Sequence, residues 1–205
     1  MKRLLVLSCL LFLCFDTVNA QKRAAYKKLS KPERQWVRRH PFAALKAFPI
    51  SKTVSKEANQ RLTDPDLDGD GNGGMVDAFR HTLWMSLNSQ AFGKRKAILL
   101  GIAHEKSNRL DFEAHRLEDG DIPDSVMCEM DLRNNEIGAS LGRKYKNYSY
   151  DEMVKLVKSE VIAGNCWKVK KDSQKKYLDT NGEVIDRKKY QGNWHVPKVL
   201  IKSNK

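Results

Sequence analysis

Asp77 and His81 stand four residues apart in Asp77-Ala78-Phe79-Arg80-His81, a spacing that puts both on one face of a helix. His104-Glu105 follows the apolar run from Ala97 to Ala103, and Asp131 is followed one turn later by Asn134 and Asn135. Imidazole nitrogens and carboxylate oxygens projected from facing helices are the groups that hold zinc or another transition metal. A remaining carboxylate can then act as general base on a bound water. His81 and His104 are the candidate nitrogen donors. Glu105 and Asp131 are the candidate oxygen donors, with Asn134 and Asn135 orienting them, and His115 with Asp111 is a further candidate pair. A metal-free acid–base couple of His81 and Glu105 would need the same proximity. The groups also suit a structural network in which Arg80 and Arg133 neutralise Asp77, Glu105 and Asp131, because buried charge is stable only when paired. Lys106-Ser107-Asn108 follows Glu105, so the second histidine of a zincin helix is missing. No G-x-S-x-G elbow is present either.

A second site is written in Asp66-Leu67-Asp68-Gly69-Asp70-Gly71-Asn72, continuing to Asp77. Counting from Asp66, oxygen-bearing side chains fall at positions 1, 3, 5 and 7, glycine at 6, and Asp77 at 12. Alternate side chains of a tight loop supply the oxygens that calcium requires, as in an EF-hand or dockerin-like loop. Gly73 stands where a hydrophobic residue normally packs, and position 12 is Asp rather than Glu. A flexible acidic turn without an ion is the simpler alternative.

These residues need helices to place them. Apolar positions recur at helical spacing from Val76 to about Phe92 and through 94–107. A helix is predicted over about 124–146, with Met127, Met130, Ile137 and Leu141 on one side. Ser30-Lys31-Pro32-Glu33 and Ser149-Tyr150-Asp151-Glu152 are capping signals for helices to about Arg39 and about Ala163. Two short helices are predicted at 42–48 and about 54–62. Asn181-Gly182 lies between two short β-prone runs, a hairpin signal. The expected fold is mainly α: a helical bundle (21–163, with the Asp-rich loop at 64–77) and a small C-terminal β-hairpin appendage (164–205).

Met1-Lys2-Arg3, the apolar run Leu4–Phe15 and small residues at Val18 and Ala20 read as a signal peptide cleaved near Ala20. Export to the periplasm or beyond is therefore expected, with no transmembrane span in the mature chain. Cys128 and Cys166 would then be the cysteines left after cleavage, and an oxidising compartment favours pairing them. The 205 residues carry a formal charge of +13, unevenly spread. Residues 21–48 are net +8, 167–205 net +7, and the segment between them net −3. Basic flanks of this kind attract an anionic envelope surface or another polyanion, although solvated surface explains them equally well. No helix-turn-helix, zinc-finger or RNP-type motif supports sequence-specific nucleic-acid readout.

Asp77-Ala78-Phe79-Arg80-His81 with Trp84, then Gly101 and His104-Glu105, then Met130-Asp131, Asn134-Asn135 and Gly138, resembles a family of exported bacterial domains of unknown function. Its members look like helical domains carrying D-A-F-R-H, H-E and D-x-x-N-N-x-x-G blocks. The resemblance spans about residues 70–143 and implies a site at Asp77, His81, His104, Glu105, Asp131, Asn134 and Asn135, without naming a reaction. In that family a short Asn-Gly turn usually precedes the first block, so the long Asp-rich loop is an elaboration of this chain. The leading expectation is an exported, metal-assisted hydrolase acting on a phosphoester or other envelope-associated bond. The competing one is a non-enzymatic, calcium-stabilised protein that binds anionic surfaces, and a secreted nuclease-type effector ranks last.

Overall fold

The computed structural model describes residues 23–117 and 121–205, so the signal-peptide reading of residues 1–20 lies outside the described residues. A short helical stretch at 23–28 precedes α1 (Lys31–Arg39), α2 (Pro41–Arg61), α3 (Met75–Phe92), α4 (Lys94–Glu113), α5 (Ser125–Lys144) and α6 (Tyr150–Ile162). Two short antiparallel strands, β1 (Trp167–Val169) and β2 (Leu200–Lys202), follow, with Lys168 opposite Ile201. The chain is thus mainly helical with a small C-terminal β element. Among the described residues, no helix is long and apolar enough to cross a membrane.

The capping signals act as expected. Ser30 and Glu33 bond each other's backbone amides at the start of α1, and Ser149 and Glu152 do the same for α6. Asp124 caps α5, accepting from Val126 N at 2.9 Å and Met127 N at 3.1 Å. The two short helices predicted either side of Pro49 are one helix, α2. Proline removes one backbone donor there. However, Ala43, Ala47, Val54 and Ala58 are buried along α2, and this packing outweighs the local break. Likewise α4 continues past the predicted end at Ser107 to Glu113.

The Asn181-Gly182 turn is present, with Leu178 bridged to Val184 and Gly182 at φ 83°. The longer strand pairing is β1 with β2, and it rests against α5 and α3. The expected disulfide between Cys128 and Cys166 is not formed; both side chains are buried. Trp167 is bonded to Asn134 in the middle of α5. Cys128 lies six residues before Asn134, about 9 Å along the axis, beyond the reach of a disulfide. Cys166 instead lies 3.5 Å from Thr82 Oγ1, and burial pushes its thiol up to about 11.

The central packing is α3 on α5. Phe79, Leu83 and Met85 of α3 and Met130 of α5 are fully buried, while Met153, Val157 and Val161 of α6 cover α3 from another side. The two helix backbones approach closely because Gly138 and Gly142 face Thr82 and Ser86. A Cβ on Gly138 would lie 2.2 Å from Thr82 O, and one on Gly142 would lie 2.1 Å from Ser86 O. Hydroxyls fill the seam: Ser86 Oγ donates to Gly138 O at 3.0 Å, and Ser89 Oγ donates to Ala139 O at 2.8 Å. The obstacle to a Cβ is backbone, which cannot swing aside. Gly138→Ala is therefore expected to destabilise by about 1–3 kcal/mol or more and lower the Tm by several degrees. A thermal melt equal to the parent's would refute the close-contact account.

Candidate functional site

The α3–α5 seam brings Asp77 and His81 of α3 against Asp131 and Asn135 of α5. Asp77, His81 and Asp131 are buried, and one ligand atom from each lies within 4.8 Å of the others. His81 Nε2 is 3.5 Å from Asp77 Oδ1 and 3.4 Å from Asp131 Oδ1. His81 Nδ1 faces Asn135 Oδ1 at 3.3 Å. With that carbonyl oxygen as acceptor, the ring carries its proton on Nδ1 and turns the Nε2 lone pair toward the two carboxylates. One nitrogen and two carboxylate oxygens thus converge in a buried space and could hold a metal ion, with Arg80 already paired to Asp77.

Asp77 is held by its own segment. Its Oδ2 accepts Gly73 N at 2.6 Å, while Arg80 donates to Oδ1 through Nη2 at 2.6 Å and Nε at 3.1 Å. A cavity of about 20 Å³ adjoins the carboxylates, walled by Asn72, Arg80, Ile122, Pro123 and Met127. That is room for a water molecule or a single ion.

Not every expected member joins this group. Asn134 turns away: its Oδ1 accepts Trp167 N and its Nδ2 donates to Trp167 O, both at 2.9 Å, so it anchors β1 rather than orienting a ligand. Glu105 is buried on α4 outside the trio, and its Oε2 accepts Asn108 Nδ2 at 3.0 Å. The His104 ring lies 6.4 Å from that of His81 and 5.6 Å from that of Trp84, and its Nδ1 faces Glu33 Oε1 at 3.4 Å. Asp111 pairs with Arg116 rather than His115, which sits in a left-handed turn after α4. Arg133 pairs with Glu129 and lies over the Trp167 ring, away from the trio.

In the sequence Glu33 reads only as a capping residue. Burial pushes its carboxyl up, but hydrogen bonds from His104 and the Ser30 amide outweigh this and hold it below the ordinary range. No local pattern announces that link, because it requires α1 to pack on α4. Gly101 was also legible only as part of a motif. A Cβ there would lie 3.0 Å from Asn135 Nδ2, so the glycine makes room for the asparagine that holds His81.

A family match covers residues 34–165, from within α1 to the residue before Cys166. The chain belongs to the DUF6973 family, a domain of unknown function. No curated protein and no solved structure matches it. Asp77, His81, Asp131 and Asn135 all fall inside the DUF6973 match, whereas β1 and β2 lie beyond it.

The Asp-rich loop runs into the DUF6973 site from the front of α3. Gly74, the residue before α3, has no side chain with which to cap it. Asp68 substitutes, both its oxygens accepting Met75 N at 2.9 Å. Asp68 Oδ1 also accepts Asp70 N, and Asp70 Oδ1 accepts Asn72 N, so alternate side chains fold the loop on itself. The carboxylates meet lysines. Lys158 bonds Asp64 and Asp66 at 2.8 and 2.7 Å, and Lys171 bonds Asp70 at 2.6 Å. Lys168 stands 3.6 Å from Asp68. Asp77 faces His81 and Arg80, so it does not close a cage around Asp66, Asp68, Asp70 and Asn72.

Hydrogen bonding to Lys158 outweighs desolvation at Asp64, with help from the Asp66 amide and Arg61, and holds its carboxyl at about 2 rather than 3.8. A depressed carboxyl contributes stability that is present above its unfolded value and lost as pH falls through its folded one. The stability gap between wild type and Asp64→Asn in urea titrations is therefore expected to be full at neutral pH. It should narrow as pH drops from about 3.8 toward 2. A gap independent of pH across that window would show that the ion pair is not its source.

Proposed function

We propose that this DUF6973 domain is a metal-assisted hydrolase whose ion is held by Asp77, His81 and Asp131. The observation that carries the reading is spacing. At 3.4 and 3.5 Å, the His81 Nε2 contacts are long for N–H···O hydrogen bonds. They match the roughly 3.4 Å between neighbouring ligand atoms on a tetrahedral ion with bonds of about 2.1 Å. One imidazole nitrogen and two carboxylate oxygens suit zinc and other first-row transition metals. Three protein ligands leave a coordination position open, as in catalytic rather than structural sites.

A divalent ion there would supply an activated water at neutral pH. The chain's own residues supply the rest. Asn135 fixes the His81 tautomer, as outer-shell partners of metal-binding histidines do. Arg80, anchored on Asp77 and lining the cavity, places a guanidinium where negative charge develops on a phosphoester oxygen. The leader-like first twenty residues and basic flanks support an exported protein working near anionic envelope surfaces.

Metal-free protein titrated with zinc, manganese and cobalt should take up one ion, and cobalt should give a visible spectrum of low coordination number. His81→Ala and Asp131→Asn should abolish both, and Asn135→Ala should weaken binding roughly 10–100-fold. Hydrolysis of a phosphodiester such as bis(p-nitrophenyl) phosphate should follow the same order. Ion uptake unaffected by His81→Ala and Asp131→Asn would overturn the reading.

The Asp-rich loop supports a second, structural role for calcium at Asp66, Asp68, Asp70 and Asn72. The observation favouring it is the run of alternate side-chain-to-amide bonds that such loops use. Calcium added to metal-free protein should then raise the Tm, and Asp70→Asn should cancel the rise. A Tm unmoved by calcium would leave the loop held by its lysines alone.

A further inference from the structure

A second cavity, of about 270 Å³, lies beside the metal cleft, and the two share Ile122 and Pro123 as a wall. Its lining carries three cations, Arg187, Lys188 and Lys198; Lys198 pairs with Asp124, Arg187 pairs with Asp121 at the edge of the smaller cavity, and Lys188 leaves the lining with a net positive charge. Lys198 is unusual. Its side chain is only 4% exposed, and its ammonium lies 2.6 Å from Asp124, the cap of α5. Burying a lysine is costly even when paired; burial lowers the Lys198 pKa and the Asp124 carboxylate works against that. Apolar surface completes the wall, with Phe112 from α4 and Ile185, Tyr190 and Val196 from the C-terminal segment. Tyr177 also borders the cavity, but lysine ammoniums stand over its ring, Lys198 at 3.6 Å and Lys171 at 4.6 Å. Phe112 and Tyr190 carry their cations farther off, Arg109 at 5.4 Å and Lys189 at 5.8 Å, with Trp194 edge-on to Phe112 at 5.0 Å, and so are the rings more open to a ligand.

The cavity is near the lower end of small-molecule sites, which begin at about 300 Å³. It suits one anionic group with one flat group attached. A predominantly apolar wall with a few charged groups is the usual composition of such sites.

We propose that this cavity binds the substrate of the Asp77–His81–Asp131 centre, and that the substrate is a small phosphate ester bearing one aromatic or similarly flat group. The inference rests on the reading of that trio as the reacting centre. The anion lies among Arg187, Lys188 and Lys198, and the flat group lies against Phe112 and Tyr190. Ile122 and Pro123 line both cavities, and Arg187 of this one pairs with Asp121 of the other, so the two adjoin. Four of the residues that select the ligand (Arg187, Lys188, Tyr190 and Lys198) fall beyond residue 165, outside the DUF6973 match. The family core thus carries the chemistry, and the C-terminal segment of this chain carries the choice of substrate.

Phenylphosphonate, a non-hydrolysable mimic of an aromatic phosphate monoester, tests this by calorimetric titration. Four proteins are compared: wild type, His81→Ala, Arg187→Gln and Tyr190→Ala. Arg187 is exposed, so its variant should fold normally, and circular dichroism checks each variant. Phenylphosphonate should bind the metal-free wild type and His81→Ala alike, and roughly tenfold or more above inorganic phosphate. Arg187→Gln and Tyr190→Ala should each weaken it by about tenfold. Equal affinity for inorganic phosphate, absence of binding to wild type, or binding unmoved by both substitutions would overturn the proposal. Retained phenylphosphonate binding in a protein that takes up no metal at the trio would overturn only the hydrolase reading.

Discussion

The contact between the backbones of α3 and α5 governs everything near the site. Gly138 and Gly142 have no Cβ to hold the helices apart, and Ser86 and Ser89 bond carbonyls across the seam. Across this seam His81 reaches Asp131 Oδ1 at 3.4 Å and Asn135 Oδ1 at 3.3 Å. The close approach also explains the burial of polar groups. Thr82, Ser86, Ser89 and Asn134 are all buried along or beside this seam, and most of their hydrogen bonds go to backbone atoms. The trio therefore sits in a rigid seam rather than on a loop, which suits a site whose ligand atoms must hold their spacing to a few tenths of an ångström.

Charge is distributed by the same economy. The Asp-rich loop concentrates carboxylates at the start of α3, and lysines from α6 and the segment after it come to meet them. The C-terminal segment thus serves twice. Lys171 neutralises the loop beside one face of Tyr177, and Lys198 neutralises the α5 cap beside the same ring. This chain of contacts joins the loop, the appended segment and α5 around the Asp77–His81–Asp131 trio.

Much of this was legible in the residues. Helical periodicity located α3, α4, α5 and α6 to within a few residues, except for the end of α4. The i, i+4 spacing of Asp77 and His81 and the block at Asp131 are visible in the residues, but the sequence reads Asp77 as the close of the Asp-rich loop and places His104 and Glu105 among the ligands, whereas Asp77 joins His81 and Asp131. What failed was information carried by through-space contact. Asn134 and Asn135 are adjacent in sequence, but their side chains diverge by about 100° around the helix, one toward His81 and the other toward β1. The stretch 41–61 reads as two short helices, because the burial of Ala47 and Val54 that joins them across Pro49 is not visible in the residues. The two cysteines invite a bridge by count and compartment, yet the register fixed by Asn134 and Trp167 keeps them apart. Glu33 could not be linked to His104 before α1 was placed against α4.

The lysine contacts of the Asp-rich loop also set an order of assembly. Lys158 is 94 residues from Asp64, Lys171 is 101 from Asp70, and Lys175 is 106 from Gly69. Pairings that close such long stretches of chain form slowly, because their entropy must be lost before they return any energy. Until they form, the loop is a patch of mutually repelling carboxylates directly ahead of α3. The cap of α3 itself is local, from Asp68 to Met75 N and from Asp77 to Gly73 N, so what waits for the distant lysines is the neutralisation of the loop and not the helix end.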